Sequence, residues 1–329
     1  MVFRALVIDH DPADRRVTAT IRDLDEGVLP NGDVRVRVQY STVNFKDALV
    51  LGGLGRLVRA YPHVPGIDLA GVVESSMDPR FSPGDEVVLT GWRVGETWWG
   101  GYAELAQVRG DWLLPIPEQL SARDCMIIGT AGLTAALALS ALEANGLTPD
   151  DGAVLVTGAT GGLGSTAVHL LARRGYRVTA STGKPKEARH LALLGASDVI
   201  DRAQLSSAPD RPLLPERWAG CIDAVGGSTV AHVLAELRYG AAVAMCGNTG
   251  GNDVPTNTLP FLLRGVRALG IDSVQAKVSE RQRAWSTLAT LADMDVLSGQ
   301  IREIGLEEIP AVAADLLAGR IAGRVIVVV

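Results

Sequence analysis

The sequence predicts an α/β protein in which a small barrel-like β domain precedes a domain with a doubly wound parallel sheet. Two observations lead to this prediction. In the first third, short apolar runs near residues 34–38, 71–74 and 86–89 are separated by glycine- and proline-rich loops, a pattern typical of strands. From about residue 121, helical patterns alternate with short apolar strands, as in βαβ units.

The tail carries one more helical pattern at 309–317 and a closing strand at 324–329. We therefore expect a β domain at 1–121, a dinucleotide-binding domain at 122–270, and a return of the chain to the first domain at 271–329. No internal repeat is visible.

The composition excludes several classes of protein. The chain has 31 basic and 37 acidic residues in 329, a net charge of −6, which disfavours nucleic-acid binding. No run of 18 apolar residues predicts a membrane span, and the first residues lack a signal-peptide pattern. The three cysteines are too far apart for a disulfide framework or a zinc site, so we expect a cytoplasmic protein with buried thiols.

A glycine-rich turn after the apolar strand at 154–156 is the strongest chemical signal. It runs from Gly158 to Gly164 and leads into a helix, although Thr160 stands where the strict G-x-G-x-x-G pattern has its second glycine. Such a turn lets the backbone approach a pyrophosphate, and the helix N-terminus offers it free N–H groups. A structural strand–helix turn is the alternative, but the βαβ continuation favours a dinucleotide site.

The next strand indicates which dinucleotide is bound. It ends at Thr182-Gly183-Lys184, where a cofactor without a 2′-phosphate usually meets an acidic residue. Hydroxyl groups can donate hydrogen bonds to a phosphate and an ammonium group can neutralise its charge, so this stretch favours NADPH. The alternative is a solvated basic loop.

Two dehydrogenase classes share such a glycine-rich turn. Short-chain enzymes need a Tyr-x-x-x-Lys pair, which none of the five tyrosines provides. Zinc alcohol dehydrogenases have a Gly-His-Glu motif where this chain reads Gly66-Ile67-Asp68, and Ile67 cannot bind a metal. We therefore expect a zinc-free medium-chain enzyme.

Several motifs, taken together, resemble the acrylyl-CoA reductase (NADPH) family, a zinc-free, quinone oxidoreductase-like branch of the medium-chain dehydrogenase/reductase superfamily. The motifs are Asn44-Phe45-Lys46-Asp47-Ala48-Leu49, Pro65-Gly66-Ile67-Asp68, Gly110-Asp111-Trp112-Leu113 and Gly270-Ile271-Asp272-Ser273-Val274. The resemblance implies a GroES-like β-barrel catalytic domain, a Rossmann domain, and NADPH-dependent reduction of a short enoyl-CoA, acryloyl-CoA to propionyl-CoA. An NADPH quinone or enone reductase and a non-catalytic NADPH-binding regulator are the alternatives. We also expect a homodimer.

The resemblance implies eleven cofactor contacts. They are Phe45, Thr160, Gly161, Gly162, Leu163, Thr182, Gly183, Lys184, Ala224, Ala268 and Arg324. The family usually has Tyr where this chain has Phe45, so no hydroxyl is available there to donate a proton. For Arg324, a surface ion pair is the alternative.

Reduction of an enoyl thioester builds negative charge on the thioester oxygen and then requires a proton. Asn44 is a candidate donor to the enolate or a residue that fixes the cofactor. Lys46 and Asp47 are candidates for a proton relay, with a structural ion pair as the alternative. For the substrate we expect Arg56 and Arg59 to meet coenzyme A phosphates, unless they belong to a solvated loop, and Trp99 to line the thioester cleft, unless it only packs.

Overall fold

The structure is a computed structural model that describes residues 2–11 and 16–329. Its strands are β1 (Val2–His10), β2 (Val17–Asp25), β3 (Val34–Thr42), β4 (Asp68–Ser76), β5 (Glu86–Thr90), β6 (Leu105–Val108), β7 (Leu114–Pro115), β8 (Ala153–Val156), β9 (Arg177–Thr182), β10 (Asp198–Asp201), β11 (Trp218–Asp223), β12 (Leu237–Met245), β13 (Arg267–Gly270), β14 (Ile301–Ile304) and β15 (Arg324–Val328). Its α-helices are α1 (Phe45–Leu51), α2 (Ala122–Ala144), α3 (Gly162–Arg173), α4 (Ala188–Leu193), α5 (Gly227–Glu236), α6 (Leu259–Arg264), α7 (Val278–Leu291), α8 (Met294–Leu297) and α9 (Ile309–Leu317).

The chain divides into two compact units. The first takes the chain up to Thr130 together with Val274–Gln282 and Gln300–Val329, and the second takes Ala131–Ser273 and Arg283–Gly299. The observed division differs from the predicted boundaries in three places: the first boundary falls at 130, residues 271–273 belong to the second unit, and residues 283–299 return to it. The backbone N–H of Asp293 donates to His169 Nε2 on α3, which ties that returning segment to the second unit.

The first unit is built on a seven-stranded sheet with the order β14-β15-β3-β4-β5-β7, in which β6 also pairs with β3. The last strand of the chain, β15, lies between β14 and β3 and is antiparallel to β3. A separate antiparallel pair, β1 and β2, packs its apolar residues with those of α9 and β15. The predicted return of the closing strand to the first domain is therefore confirmed.

The second unit has a six-stranded parallel sheet with the order β10-β9-β8-β11-β12-β13. From β8 the chain first adds β9 and β10 on one side, and then returns to add β11, β12 and β13 on the other. The direction of winding reverses between β8 and β11, and a crevice opens at such a switch point, outside the carboxyl ends of the strands. The predicted doubly wound sheet is confirmed.

Helix α2 is broken at Gly129, whose backbone has φ of 52° and ψ of −161°. A Cβ atom added there would lie 2.8 Å from Asp68 Oδ2, so this backbone conformation requires glycine. Among the described residues, α2 is the one helix long and apolar enough to cross a membrane, and most of it is buried inside the protein. A buried core helix meets the same criteria, so α2 is weak evidence for a membrane span.

Candidate active site

The phosphate loop follows β8 and leads into α3. Gly158 has a positive φ of 60°, and a Cβ atom added to Gly164 would lie 2.3 Å from the carbonyl oxygen of Gly158. Glycine at these two positions therefore lets α3 begin directly against the turn. Gly161 is the N-cap residue of α3, and Gly162 is its first residue. The helix N-terminus thus faces the loop, as an anion site requires.

Two hydroxyl groups connect this loop to the next strand. Thr160 Oγ1 lies 3.2 Å from Thr182 Oγ1, and both side chains are buried. Thr182 Oγ1 also accepts a hydrogen bond of 3.0 Å from the backbone N–H of Lys184. The structure thus brings together Thr160 and the Thr182-Gly183-Lys184 stretch, which the sequence predicts to bind one cofactor.

Arg202 is a further cation at this place, and the sequence analysis missed it. It follows β10, and a Cβ atom added to Gly183 would lie 2.4 Å from Arg202 Nε. Burial lowers the pKa of Lys184, and the positive charge of Arg202 lowers it further, while Glu187 opposes the change. Asp201, the last residue of β10, pairs with Thr182 in the sheet. A cation directly after β10 could therefore have been expected to lie near Thr182 and Gly183.

A buried carboxylate lies at the switch point itself. Thr157 Oγ1 donates a hydrogen bond of 2.5 Å to Asp223 Oδ1, and the backbone N–H of Gly226 donates one of 2.7 Å to Asp223 Oδ2. Thr157 Oγ1 in turn accepts a hydrogen bond from the N–H of Ala224. Burial raises the pKa of Asp223, while these donors and the N–H of Val225 lower it. The ends of β8 and β11 are therefore joined through Asp223, which the sequence analysis did not select.

Ala224 and Ala268 occupy different settings in the second unit. Ala224 comes directly after β11 and contacts the phosphate loop, since a Cβ atom on Gly158 would lie 3.4 Å from the Ala224 Cβ. Ala268 lies inside the edge strand β13, opposite Val243 of β12. The cofactor contacts expected of both residues stay predictions.

In the first unit, the side chain of Asn44 is fixed by three charged neighbours. Its Nδ2 donates to Asp68 Oδ2 at 2.8 Å and to Asp47 Oδ2 at 3.2 Å, while its Oδ1 accepts from Arg324 Nη1 at 3.0 Å. Both amide hydrogens are therefore already accepted by carboxylates. The expected role of Asn44, toward an enolate or in fixing the cofactor, stays a prediction.

Asp47 is fully buried at the start of α1. Its carboxylate accepts hydrogen bonds of 2.9 Å from the backbone N–H groups of Asn44 and Ile67. Burial raises the pKa of Asp47 to about 7, and the nearby charge of Asp68 adds to the increase. These bonds fix the first turn of α1 to the Gly66-Ile67-Asp68 loop.

Lys46 does not pair with Asp47. Its Nζ lies 3.1 Å from Glu96 Oε1, and the Glu96 side chain is only 5% exposed. Consecutive helical residues point about 100° apart, so Asp47 enters the interior while Lys46 turns toward the loop at 91–101. The structural ion pair between Lys46 and Asp47 is therefore not formed, and the expected relay through water stays a prediction. Glu96, which the sequence analysis missed, is the partner.

Arg324, at the start of β15, is only 7% exposed. Besides its bond to Asn44, its Nε donates to the carbonyl oxygen of Ile127 at 2.9 Å. Asp68 lies close enough to oppose the lowering of the Arg324 pKa that burial causes. The alternative of a surface ion pair is therefore wrong. The expected contact of Arg324 with a cofactor stays a prediction.

The comparisons with known proteins cover both units. A model of the alcohol dehydrogenase GroES-like domain matches residues 30–118, and a model of the zinc-binding dehydrogenase family matches residues 162–291. Acrylyl-CoA reductase AcuI of Ruegeria pomeroyi is 52% identical over 99% of this chain and 99% of its own length. The chain belongs to the acrylyl-CoA reductase family. The predicted GroES-like and Rossmann folds, the superfamily and the oxidoreductase class are thereby confirmed.

Two further relatives bear on the cofactor and the acceptor. The YhdH oxidoreductase of Salmonella enterica, solved in complex with NADP, has a TM-score of 0.96 and 45% identity, over 99% of both chains. The putative quinone oxidoreductase YhfP of Bacillus subtilis is 45% identical over 99% of this chain and 98% of its own. Its structure with NAD bound has a TM-score of 0.95 and covers 100% of both chains.

Other predicted site residues of this acrylyl-CoA reductase family member remain untested. Arg56 and Arg59 are exposed in the segment after α1, and within the described chain neither has a hydrogen-bond or ion-pair partner. Phe45 is half-buried in the first turn of α1. Trp99 is half-buried and packs on the apolar core that includes Phe3, so the packing alternative is observed. Its predicted contact with substrate is not tested by that packing.

Ile67 stands at the position where the zinc enzymes have a histidine that binds the metal. Ile67 is buried, and its N–H donates to Asp47. Within residues 2–11 and 16–329, no three His, Cys, Asp or Glu side chains cluster as a metal site would. Asp47 and Asp68 share Asn44 as their donor instead. Independence of zinc stays a prediction for this family member.

Proposed function

We propose that the protein uses NADPH to reduce the carbon–carbon double bond of a short enoyl-CoA, converting acryloyl-CoA to propionyl-CoA. The observation that carries the proposal is the 52% identity to acrylyl-CoA reductase AcuI, which extends over both structural units. The NADP in the YhdH complex, in a protein of nearly the same fold, supports the choice of cofactor.

The second unit fits NADPH by its own chemistry. The N–H groups of Gly162 and Leu163 at the start of α3 would hold the pyrophosphate, whereas the N–H of Gly161 already donates to the carbonyl oxygen of Gly158. Thr182, Lys184 and Arg202 would hold the 2′-phosphate by charge-assisted hydrogen bonds. Glycine at 183 leaves room for the Arg202 side chain, whereas a carboxylate there would repel the phosphate.

Bound NADPH supplies the hydride for the β-carbon of the acceptor. Lys46, partly exposed and paired with Glu96, carries the proton that the α-carbon then takes up. Asn44 holds Asp47 and Asp68 in place. Arg56 and Arg59 are exposed and open to bind the phosphates of coenzyme A.

A quinone or enone is the second candidate acceptor. The putative quinone oxidoreductase YhfP matches this chain over nearly its full length, at an identity only a little below that of the acrylyl-CoA reductase. Reduction of a quinone requires no site for a coenzyme A tail, so the two functions differ in their need for Arg56 and Arg59.

We also propose a homodimer that resides in the cytoplasm. Within the described sheet, β13 is an edge strand with β12 on one side only, and such an edge is open to pairing with another chain. Leu262 and Leu263 of the preceding helix are 75% and 60% exposed, an apolar surface that association would cover. Free Cys125 and Cys221 are compatible with a reducing compartment.

NADPH oxidation measured with acryloyl-CoA, crotonyl-CoA and a quinone tests the proposed function. We expect the highest kcat/KM with acryloyl-CoA. Replacing Arg56 and Arg59 with Ala should raise KM for acryloyl-CoA and leave KM for the quinone unchanged. Arg211→Ala with Arg283→Ala, a pair of exposed arginines in the second unit, controls for lost surface charge. Faster turnover of the quinone by the unmodified enzyme would favour the second candidate.

A further inference from the structure

Asp223 is a buried carboxylate without a cationic partner. Its exposed fraction is 0%, and in the part of the chain that the structure describes, no Lys, Arg or His contributes to the shift of its pKa. Burial of an unpaired charge is costly, so its presence in the interior calls for an explanation. The location of Asp223 suggests an explanation, because Asp223 is the last residue of β11 and lies at the switch point where dinucleotides bind.

The hydrogen-bond donors around the carboxylate lower its pKa and so oppose the rise that burial causes. Thr157 Oγ1 and the N–H of Gly226 donate to its two oxygens, and the N–H of Val225 is a further donor. Hydrogen bonds donated to a carboxylate stabilise its charged state. Thr157 is held in the donating orientation because its Oγ1 accepts from the N–H of Ala224. The arrangement places the carboxylate beneath the turn that follows β11.

The turn above this charge is rigidly held. The backbone N–H of Gly250 donates to the carbonyl oxygen of Val225 at 2.7 Å, and Gly247 packs so closely on Ala224 that an added Cβ would lie 2.4 Å from the Ala224 oxygen. The N–H of Cys246 donates to the carbonyl oxygen of Asp223 at 2.8 Å. The carboxylate therefore keeps a fixed position relative to the crevice.

We propose that the Asp223 carboxylate makes the site discriminate between the redox states of its cofactor, favouring NADP⁺ over NADPH. The inference rests on the proposed function for the identity of the cofactor. Oxidised nicotinamide carries a positive charge that the reduced ring lacks, and a fixed negative charge in a medium of low dielectric stabilises that form selectively. The same field favours release of the hydride, because positive charge grows on the ring as the hydride and its electron pair move to the β-carbon.

A purely structural role would have a different signature. If Asp223 only joined β8 to β11 through Thr157, its replacement would weaken the binding of both cofactor forms by the same factor. Thr157→Val removes the hydroxyl between the two strands and leaves the Asp223 side chain in place, so it tests the structural contribution. The ratio of the two dissociation constants separates the two roles, and it is independent of turnover.

The experiment measures Kd for NADPH by fluorescence and Kd for NADP⁺ by calorimetry in the unmodified protein, Asp223→Asn and Thr157→Val. Asp210→Asn, which removes one exposed charge from the same unit, is the matched control. We expect Asp223→Asn to raise the ratio Kd(NADP⁺)/Kd(NADPH) by about tenfold, and the other two variants to change it by less than about twofold. If the amide variant does not fold, Asp223→Ser, with a neutral side chain small enough for the same space, replaces it.

A ratio in Asp223→Asn that stays within about twofold of the unmodified value would overturn the inference. So would an equal change in Thr157→Val. Binding of NADPH without reduction of acryloyl-CoA would refute the proposed acceptor alone, since the ratio would still decide the role of Asp223. Failure of the unmodified protein to bind either cofactor form would overturn both proposals.

Discussion

Lys46 Nζ lies 3.1 Å from Glu96 Oε1, which joins the first turn of α1 to a loop fifty residues later. Glu96 is almost fully buried, whereas about a third of the Lys46 side chain is exposed. The carboxylate is therefore fixed, and the ammonium group is held with one side open. This geometry suits a side chain that transfers a proton to a bound substrate.

Replacing Lys46 with Met should lower kcat for acryloyl-CoA by about 10²-fold, the lower range for general acid catalysis, with little change in Kd for NADPH. Glu96→Gln should lower kcat less, because the amide still accepts a hydrogen bond from the ammonium group. Lys277→Met, an exposed lysine of the same unit, is the control. A normal kcat in Lys46→Met would exclude Lys46 as the proton source.

Cofactor preference should depend on Lys184 and Arg202 together. Each change to Ala should lower kcat/KM for NADPH by an amount that corresponds to about 1–3 kcal/mol, the contribution of a charged hydrogen bond. The kcat/KM for NADH should stay unchanged. Steady-state kinetics with both cofactors test this. A parallel loss with NADH would mean that these side chains support the fold and not the 2′-phosphate, and an equal kcat/KM for both cofactors in the unmodified enzyme would refute the preference.

Phe45→Tyr tests whether this chain lacks an essential acid. General acid catalysis contributes about 10²–10⁴-fold, so an obligatory tyrosine would make the substitution raise kcat steeply. We expect a change of less than about tenfold, because Lys46 or water supplies the proton after hydride transfer. Single-turnover kinetics with acryloyl-CoA measure it. A gain of two orders of magnitude would contradict the assignment of the proton to Lys46.

Activity should survive treatment with a chelator. Ile67 occupies the position at which the zinc enzymes have histidine, and the neighbouring carboxylates are engaged by Asn44, whereas zinc sites use thiolate, imidazole or carboxylate ligands in a tetrahedral set. The measurement is kcat before and after incubation with EDTA, together with the metal content of the active protein. Stoichiometric zinc that is needed for turnover would refute the prediction.

Asp47 should make the fold less stable as the pH rises. Its pKa is raised from an ordinary 3.8 to about 7 in the folded protein. Between these values the folded state holds a proton that the unfolded state has lost, so the free energy of unfolding falls with increasing pH, by at most about 1.4 kcal/mol per unit. The contribution is complete below pH 3.8 and is lost as the pH passes about 7.

Urea unfolding of the unmodified protein and of Asp47→Asn at several pH values between 4 and 7 tests this sign. The difference in unfolding free energy between the two proteins should shrink as the pH rises, because only the unmodified protein loses the contribution. A difference that does not vary with pH would show that Asp47 has the same protonation state in the folded and unfolded protein.

The features that the sequence predicted correctly are those carried by local patterns. Apolar strands and the glycine spacing identify the phosphate loop, because Gly158 and Gly164 act within one turn. The helix at 309–317 was predicted with its observed bounds, since its apolar periodicity lies wholly within those nine residues.

The pairs that the sequence did not reveal join distant residues. Lys46 meets Glu96, and Thr157 meets Asp223, through strands and loops whose order in the fold no local pattern encodes. Arg202 approaches Gly183 because β10 pairs with β9 in parallel. The adjacency of Lys46 and Asp47 in sequence suggested a pair, but helical geometry separates their side chains.

The position of β15 has a consequence for synthesis on the ribosome. Strand β15 lies between β14 and residues 40–42 of β3, so this part of the edge of β3 stays unpaired until β15 has been made, whereas β6 pairs with residues 34–37. The strands of the second unit lie between residues 153 and 270, so its sheet can assemble while the first unit waits. A nascent chain therefore exposes a short unpaired strand edge until β15 is made, a state open to pairing with other chains, and deletion of residues 324–328 should reduce the yield of folded protein.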